Sequence, residues 1–170
     1  AGDPSEIRLL SGEAGSMVFL AAEPDKARLI RPYIYSDIPV YATSQVFVGN
    51  ADRLLNFDLA EVRFVDMPWV LQPDHPAVMV YPRVEPPYTQ DMERLYALGV
   101  DAYRMLQVLY HHNTVNALPL DGVTGKLTLD GHQVKREAVK GILRGGQGMT
   151  LQAALNPPVP AKPAPTKPAQ

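Results

Sequence analysis

The stretch Met17-Val18-Phe19-Leu20-Ala21-Ala22 is apolar without a break and stops at Glu23-Pro24. A strand that is apolar on both of its faces is buried on both, which is the condition of a parallel sheet rather than of a half-solvated hairpin. Pro24 suits the first turn of a following helix, where its missing N–H has no partner in any case. From Asp25 to Tyr35, Ala27, Ile30 and Ile34 recur at helical spacing while Lys26, Arg28 and Arg31 can face water. Ser36-Asp37 closes that helix and Ile38 to Ala42 offers a second strand, followed by Thr43-Ser44-Gln45 and a short apolar run, Val46-Phe47-Val48. Strand, helix and strand in this order form a βαβ unit, whose crossover is right-handed. The fold class is therefore α/β, a parallel sheet flanked by helices.

The rest of the chain is read against that unit. Gly49 to Glu61 is a short helical or looped excursion around Leu54-Leu55, and Val62 to Val65 is a strand interrupted by Asp66-Met67-Pro68-Trp69. Five prolines between Gln72 and Tyr88 predict an extended connector with little room for helix. Thr89 to His112 is the longest helix, with Thr89 as N-cap and Asp91 and Glu93 in the first turn. Its apolar stripe of Met92, Leu95, Tyr96, Gly99, Ala102, Tyr103, Leu106, Leu109 and Tyr110 is expected to pack on a sheet or another helix. Lys126 to Leu129 alternates as a strand does, Asp130-Gly131 is a type I′ hairpin signal, and His132 to Arg136 is the return strand. The Gly145-Gly146-Gln147-Gly148 cluster is read as weakening order. Residues 156–170 have the Pro/Ala/Lys composition of a disordered, polyproline-type tail.

Composition removes several function classes. At 170 residues and 46% hydrophobic content the chain suits one domain with a single sizeable core. A net charge of −2 and no basic stripe argue against nucleic acid as a partner. Without cysteine there is no thiol catalysis, disulfide, iron–sulfur cluster or cysteine-held zinc. No apolar run approaches the roughly 20 residues that span a bilayer, and Ala1 to Glu6 lacks the pattern of a targeting signal, so a soluble chain is expected.

Candidate sites are few. Adjacent histidines His111-His112 point about 100° apart on a helix and lack an i+4 partner, so a helix C-terminus suits them better than a metal. Ser44 follows a strand, yet no nucleophile elbow surrounds it and no base is placed for it. Gly122 to Gly125 lacks the ending of a phosphate-binding loop and reads as a turn that needs positive φ. No catalytic residue, metal ligand or cofactor is assigned. In open α/β sheets ligands gather beyond the carboxyl ends of the strands, where Tyr41, Thr43, Ser44, Asp66 and Trp69 are expected. Pro68 breaks a strand there and is expected to expose the Asp66 carboxylate beside the only tryptophan. The alternative is that Trp69 packs in a core and Asp66 caps a turn.

Four blocks together carry a resemblance. They are Met17 to Pro24 with Ala27-Arg28-Leu29-Ile30-Arg31-Pro32, then Ile38-Pro39-Val40-Tyr41-Ala42-Thr43-Ser44, then Arg63-Phe64-Val65-Asp66-Met67-Pro68-Trp69, and Gly122 to Gly131. In content and order these resemble the LppC/LpoA family of outer-membrane lipoproteins, which activate class A penicillin-binding proteins during peptidoglycan synthesis. The resemblance implies a type I periplasmic-binding-protein-like fold of two lobes. Residues 1–150 would supply its C-terminal portion: second lobe, crossover strands and a return to the first lobe. It further implies a non-catalytic periplasmic regulator whose partner is a class A penicillin-binding protein. Membrane contact would come only through the lipid anchor of a full-length parent on the inner face of the outer membrane. The rival expectation is a solute-binding or sensory lobe for a small ligand, such as an amino acid or peptidoglycan fragment.

Overall fold

The computed structural model describes residues 15–85, 87–110 and 118–156. In chain order the elements are β1 (Val18–Leu20), α1 (Pro24–Ile30), β2 (Val40–Ala42), α2 (Arg53–Phe57) and β3 (Val62–Asp66). There follow α3 (Pro68–Leu71), α4 (Pro76–Met79), α5 (Gln90–Tyr110), β4 (Leu120–Asp121), β5 (Lys126–Asp130) and β6 (Gln133–Glu137). The last three are β7 (Val139–Arg144), β8 (Gln147–Thr150) and α6 (Leu151–Leu155).

The apolar runs pair as expected. Strands β1, β2 and β3 form a parallel ladder in which Val18 faces Val40 and Val40 faces Val62. Strand β7 then adds antiparallel to β3, and β8 antiparallel to β7, giving the order β1-β2-β3-β7-β8. Strands β4, β5 and β6 form a separate three-stranded antiparallel sheet. The chain leaves the larger sheet after β3 at Met67 and returns to it at Ala138, between β6 and β7. Beneath the larger sheet, Leu20, Val40, Ala42, Val62 and Phe64 pack on Ala27, Ile34, Val46, Phe47 and Leu59 to make the main core. A second core of Met67, Trp69, Val78, Ala97 and Val123 joins α3 and α4 to α5 and the loop before β5.

Several local expectations are corrected. The short apolar run Val46-Phe47-Val48 follows from a 3-10 turn over Ser44–Val46, and Val46 and Phe47 point into the main core. The proline-rich stretch does hold helix, because α4 has Pro76 at its first position, as α3 has Pro68, where proline costs no hydrogen bond. The glycine cluster after β7 does not weaken order. Gly145 and Gly146 both have positive φ, +58° and +73°, and close a two-residue hairpin between β7 and β8, the conformation that a type I′ turn demands. In the β5–β6 hairpin the two turn residues are Gly131 and His132, with positive φ at Gly131 only, so the turn is shifted by one residue and is not type I′. His111, His112 and residues 157–170 lie outside the described residues.

The largest departure concerns α5. Thr89 caps it as expected, its Oγ1 accepting from the Met92 N–H. The side turned inward, however, carries Glu93, Ala97, Asp101 and Met105. Most of the predicted apolar stripe faces outward: Leu95, Tyr103 and Leu106 are each about 60% exposed, while Tyr96 alone of its large residues packs on the second core. The larger sheet is similarly one-sided. Phe19, Tyr41 and Arg63 stand side by side on the face opposite the main core, and Phe19 and Val65 there are 64% and 51% exposed.

One surface contact predicts a pH dependence. Glu61 has a left-handed backbone, φ +63°, held by its N–H donating to the Leu143 carbonyl at 2.7 Å. Its carboxylate accepts two hydrogen bonds from Arg144, both 2.7 Å. That contact, more than the nearby charges of Arg144, Arg63 and Arg31, holds the Glu61 carboxyl below its ordinary range. A depressed carboxylate pKa contributes stability that is present above the unfolded value and fades as pH falls through the folded one. Both side chains are nearly half exposed, so solvent screens the contact and the effect is small. Glu61→Gln should therefore lower the urea midpoint slightly at neutral pH and not at all in strong acid. Parallel stability curves for the two proteins across that range would exclude this role.

Candidate functional site at the strand ends

The ends of β2 and β3 meet the first turns of α5, and a network of charged side chains fills the junction. Asp66, the last residue of β3, is not exposed: its side chain is 1% accessible. It accepts from Arg94 of α5 at 2.7 Å and from the Met67 backbone N–H at 2.9 Å. The same Arg94 guanidinium donates to the carbonyls of Ser44 and Phe47, each at 2.8 Å, and to Asp91 at 2.9 Å. One side chain thus ties the helix to the ends of two parallel strands. A guanidinium suits this task because its donors form a rigid planar fork and it stays charged when buried.

Beside it lies a second cluster around Trp69, which is 1% exposed. The indole N–H donates to the Glu93 carboxylate. Arg83, from the proline-rich connector, donates to that carboxylate at 3.0 Å and also to the Trp69 carbonyl. Its guanidinium carbon stands 3.7 Å from the centre of the indole ring, a cation–π contact. Tyr96 packs on the same indole, ring centres 5.3 Å apart. Two buried carboxylates are therefore each matched by one arginine.

A third anchor lies about two turns further along α5. Asp101, 2% exposed, accepts from the Val123 N–H at 3.1 Å and from both the N–H and the hydroxyl of Thr124 at 2.7 Å. Gly122 lets the carboxylate approach, since a Cβ there would lie 2.4 Å from an Asp101 oxygen. Gly125, at φ +137°, passes so close to the Glu137 carbonyl that a Cβ would sit 2.2 Å from its oxygen. The Gly-Val-Thr-Gly loop is thus held by a protein carboxylate.

Of the five residues expected at the strand ends, four lie near this junction and one does not. Asp66 and Trp69 are buried, Thr43 and Ser44 flank the Arg94 anchor, and Thr43 Oγ1 is buried with no hydrogen-bond partner. Tyr41 sits on the outer sheet face, its hydroxyl accepting from Arg63 at 3.1 Å. The residues that sequence reasoning missed are Arg83, Arg94 and Asp101. The helical offset from Glu93 through Ala97 to Asp101 carried the signal: two acidic residues eight apart, with a small residue midway, mark one face, which an apolar stripe elsewhere on the helix overshadowed. Outside the network an open cleft of about 450 Å³ is lined by Glu23, Gln45, Val48, Gln90, Asp91 and Arg94, among others. Among the described residues no cluster of three or more His, Asp or Glu is placed to hold a metal ion, and no helix is long and apolar enough to cross a membrane.

Comparison with known proteins places this architecture. The chain superposes, with a TM-score of 0.71 and 42% identity, on a chain described as a "putative branched-chain amino acid ABC transporter" of Chromobacterium violaceum, covering 84% of this chain and 46% of that one. The C-domain of LpoA from Haemophilus influenzae, described as a regulator of PBP1A, superposes with a TM-score of 0.68 at 19% identity, covering 89% and 50%. The fold is therefore periplasmic-binding-protein-like. In sequence, the chain is 27% identical over 120 residues to the penicillin-binding protein activator LpoA of Aliivibrio fischeri, 66% of this chain and 20% of that protein. It is 30% identical over 117 residues to LpoA of Vibrio cholerae, covering 66% and 19%. The chain spans about a fifth of the length of these relatives. The profile of the family described as "LppC putative lipoprotein" matches residues 11–139, which take in β1 through the first residue of β7, and on that match this chain belongs to the LppC family.

Proposed function

We propose that this chain is a non-catalytic module that binds and activates a class A penicillin-binding protein, and so regulates peptidoglycan synthesis from the periplasm. In this reading the protein that carries it is anchored by lipid to the inner face of the outer membrane. The observation that carries the proposal is the family match together with relatives named penicillin-binding protein activators. The strand-end junction supports it. There Asp66, Glu93, Arg83 and Arg94 are spent on one another and on backbone groups, an arrangement that builds a rigid binding scaffold rather than a set of reacting groups. We assign β1 to β3 with β7 and β8 to the second lobe, the chain crossings to Met67 and Ala138, and α5 with β4 to β6 to the return into the first lobe.

The test is binding of the purified chain, with and without residues 156–170, to a purified class A penicillin-binding protein, with transpeptidase activity followed in parallel. Saturable binding with stimulation is expected. A folded chain that neither binds nor stimulates would overturn the reading.

A second reading is favoured by the 42% identity to the Chromobacterium violaceum chain. The cleft beside Gln45 and Gln90, with the unpartnered Thr43 hydroxyl close by in sequence, would take a small polar ligand such as an amino acid or a peptidoglycan fragment. Trp69 is the only tryptophan and stacks on Arg83, so ligand closure should change its emission. Unchanged fluorescence on titration with amino acids and muropeptides would remove this alternative.

A further inference from the structure

Backbone passes twice between the five-stranded sheet and the unit of α5 with β4 to β6, at Met67 and at Ala138, and each side has a core of its own. Two units joined in this way turn about the crossings unless something else holds them. The pivot is α3, one turn of helix directly after the first crossing, with Leu71 in the main core and Trp69 in the second. A pivot leaves the angle between the units open. A further point of attachment restricts it, and Arg94 supplies one. It stands on α5, yet it donates across the boundary to the Asp66 carboxylate at the end of β3 and to the carbonyls of Ser44 and Phe47 after β2. The Arg83, Trp69 and Glu93 cluster, by contrast, closes within the unit of the second core.

We infer that Arg94 is a pin across this hinge: it holds the two units at one angle, sets the width of the cleft between them, and so gives the chain a binding surface of fixed shape. The pair it makes is nearly dry, with the Arg94 side chain 13% and the Asp66 side chain 1% accessible. A small rotation would separate these charges while the surrounding fold still keeps water from them, which is the costly way to break a pair. It would also take the shared donor from two carbonyls. The units touch beside the pin, where a Cβ on Gly49 would lie 2.8 Å from the Gln90 Oε1. The cleft of about 450 Å³ is lined from the sheet unit by Glu23, Gln45 and Val48 and from α5 by Gln90, Asp91 and Arg94, so its width depends on the same contact. The inference rests on the lobe assignment above and not on the penicillin-binding-protein reading.

The chain has no cysteine, so spin labels go only where thiols are introduced. Leu29→Cys on α1 and Leu106→Cys on α5, at positions 69% and 62% exposed, put one label on each unit without entering either core. Pulsed electron-spin distance measurement on the full 170-residue chain is expected to give a single narrow distance. Arg94→Met should add a second distance carrying roughly a tenth or more of the molecules, the population of a minor state that lies close to the ground state. Since Arg94→Met also lowers stability, Asp66→Asn/Arg94→Met removes the same pin from a better folded chain and should show the same second distance, with circular dichroism as the check on folding. A broad distribution in the parent chain would overturn the inference, as would a folded double variant whose distance stays as narrow as the parent's. Amide hydrogen exchange separates that failure from failure of the lobe assignment. Two lobes open separately, so β1 to β3 and β5 to β6 should lose protection at different rates in the double variant; one common opening of all five strands would overturn the assignment itself.

Discussion

Arg94→Met is expected to lower the unfolding free energy by about 3–5 kcal/mol, because it strands a carboxylate that the fold has removed from water. Asp66 retains only the Met67 N–H once Arg94 is gone, and the carbonyls of Ser44 and Phe47 lose their shared donor. Set against a total stability of roughly 5–15 kcal/mol for a domain, that is a large share. The decisive control is the double variant Asp66→Asn/Arg94→Met. Removing the orphaned charge should return part of the loss, since a buried pair replaced on both sides costs far less than one broken on one side. Urea unfolding of the three proteins measures this. A loss below about 1 kcal/mol for Arg94→Met alone would mean that the pair behaves as a surface contact, and the account of Arg94 as the tie between α5 and the strand ends would fail.

Asp101→Ala should cost about 3 kcal/mol or more, since three donors lose their acceptor inside the fold, the Val123 and Thr124 N–H groups and the Thr124 hydroxyl. The loop they belong to also receives the Trp69 N–H at the Val123 carbonyl, so the damage should spread into the second core. Amide hydrogen exchange gives the specific readout: protection at Val123 and Thr124 is expected to fall in Asp101→Ala before protection in β1 to β3 does. Asp101→Asn keeps an acceptor and should lose less. If both amides stay as protected in Asp101→Ala as in the parent chain, the carboxylate is not what orders the loop.

Comparing sequence with structure separates two kinds of information. The parallel β1-β2-β3 ladder was legible because Met17 to Ala22, Ile38 to Ala42 and Val62 to Val65 are short apolar runs punctuated by proline and polar residues, and such patterning is local. The Gly145-Gly146 hairpin was equally legible in principle; two glycines between residues of strand character are a turn signal, and reading them as disorder ignored the β-branched and aliphatic residues before them. Short helices at Pro68 and Pro76 were missed by treating proline only as a breaker, although its fixed φ also starts helices.

The candidate site was legible only as a place. Reasoning about where ligands gather in open α/β sheets placed Thr43, Ser44, Asp66 and Trp69 at the strand ends, and it carried no information on what would face them. Whether Asp66 is a free ligand group or one end of a buried ion pair depends on Arg94, 28 residues away. Whether Trp69 is exposed depends on Arg83 and Glu93, which arrive from a connector and a helix.

The amino-acid sequence by itself determined the α/β class, the order of the first three strands along the chain and the start and cap of α5, since each follows from side chains near one another along the chain. Only the tertiary structure decided which face of α5 turns inward. The apolar stripe is the stronger pattern, yet Glu93, Arg94 and Asp101 find specific partners at the strand ends and the Gly122 to Gly125 loop, and a buried charge is held only where its partners converge from distant segments.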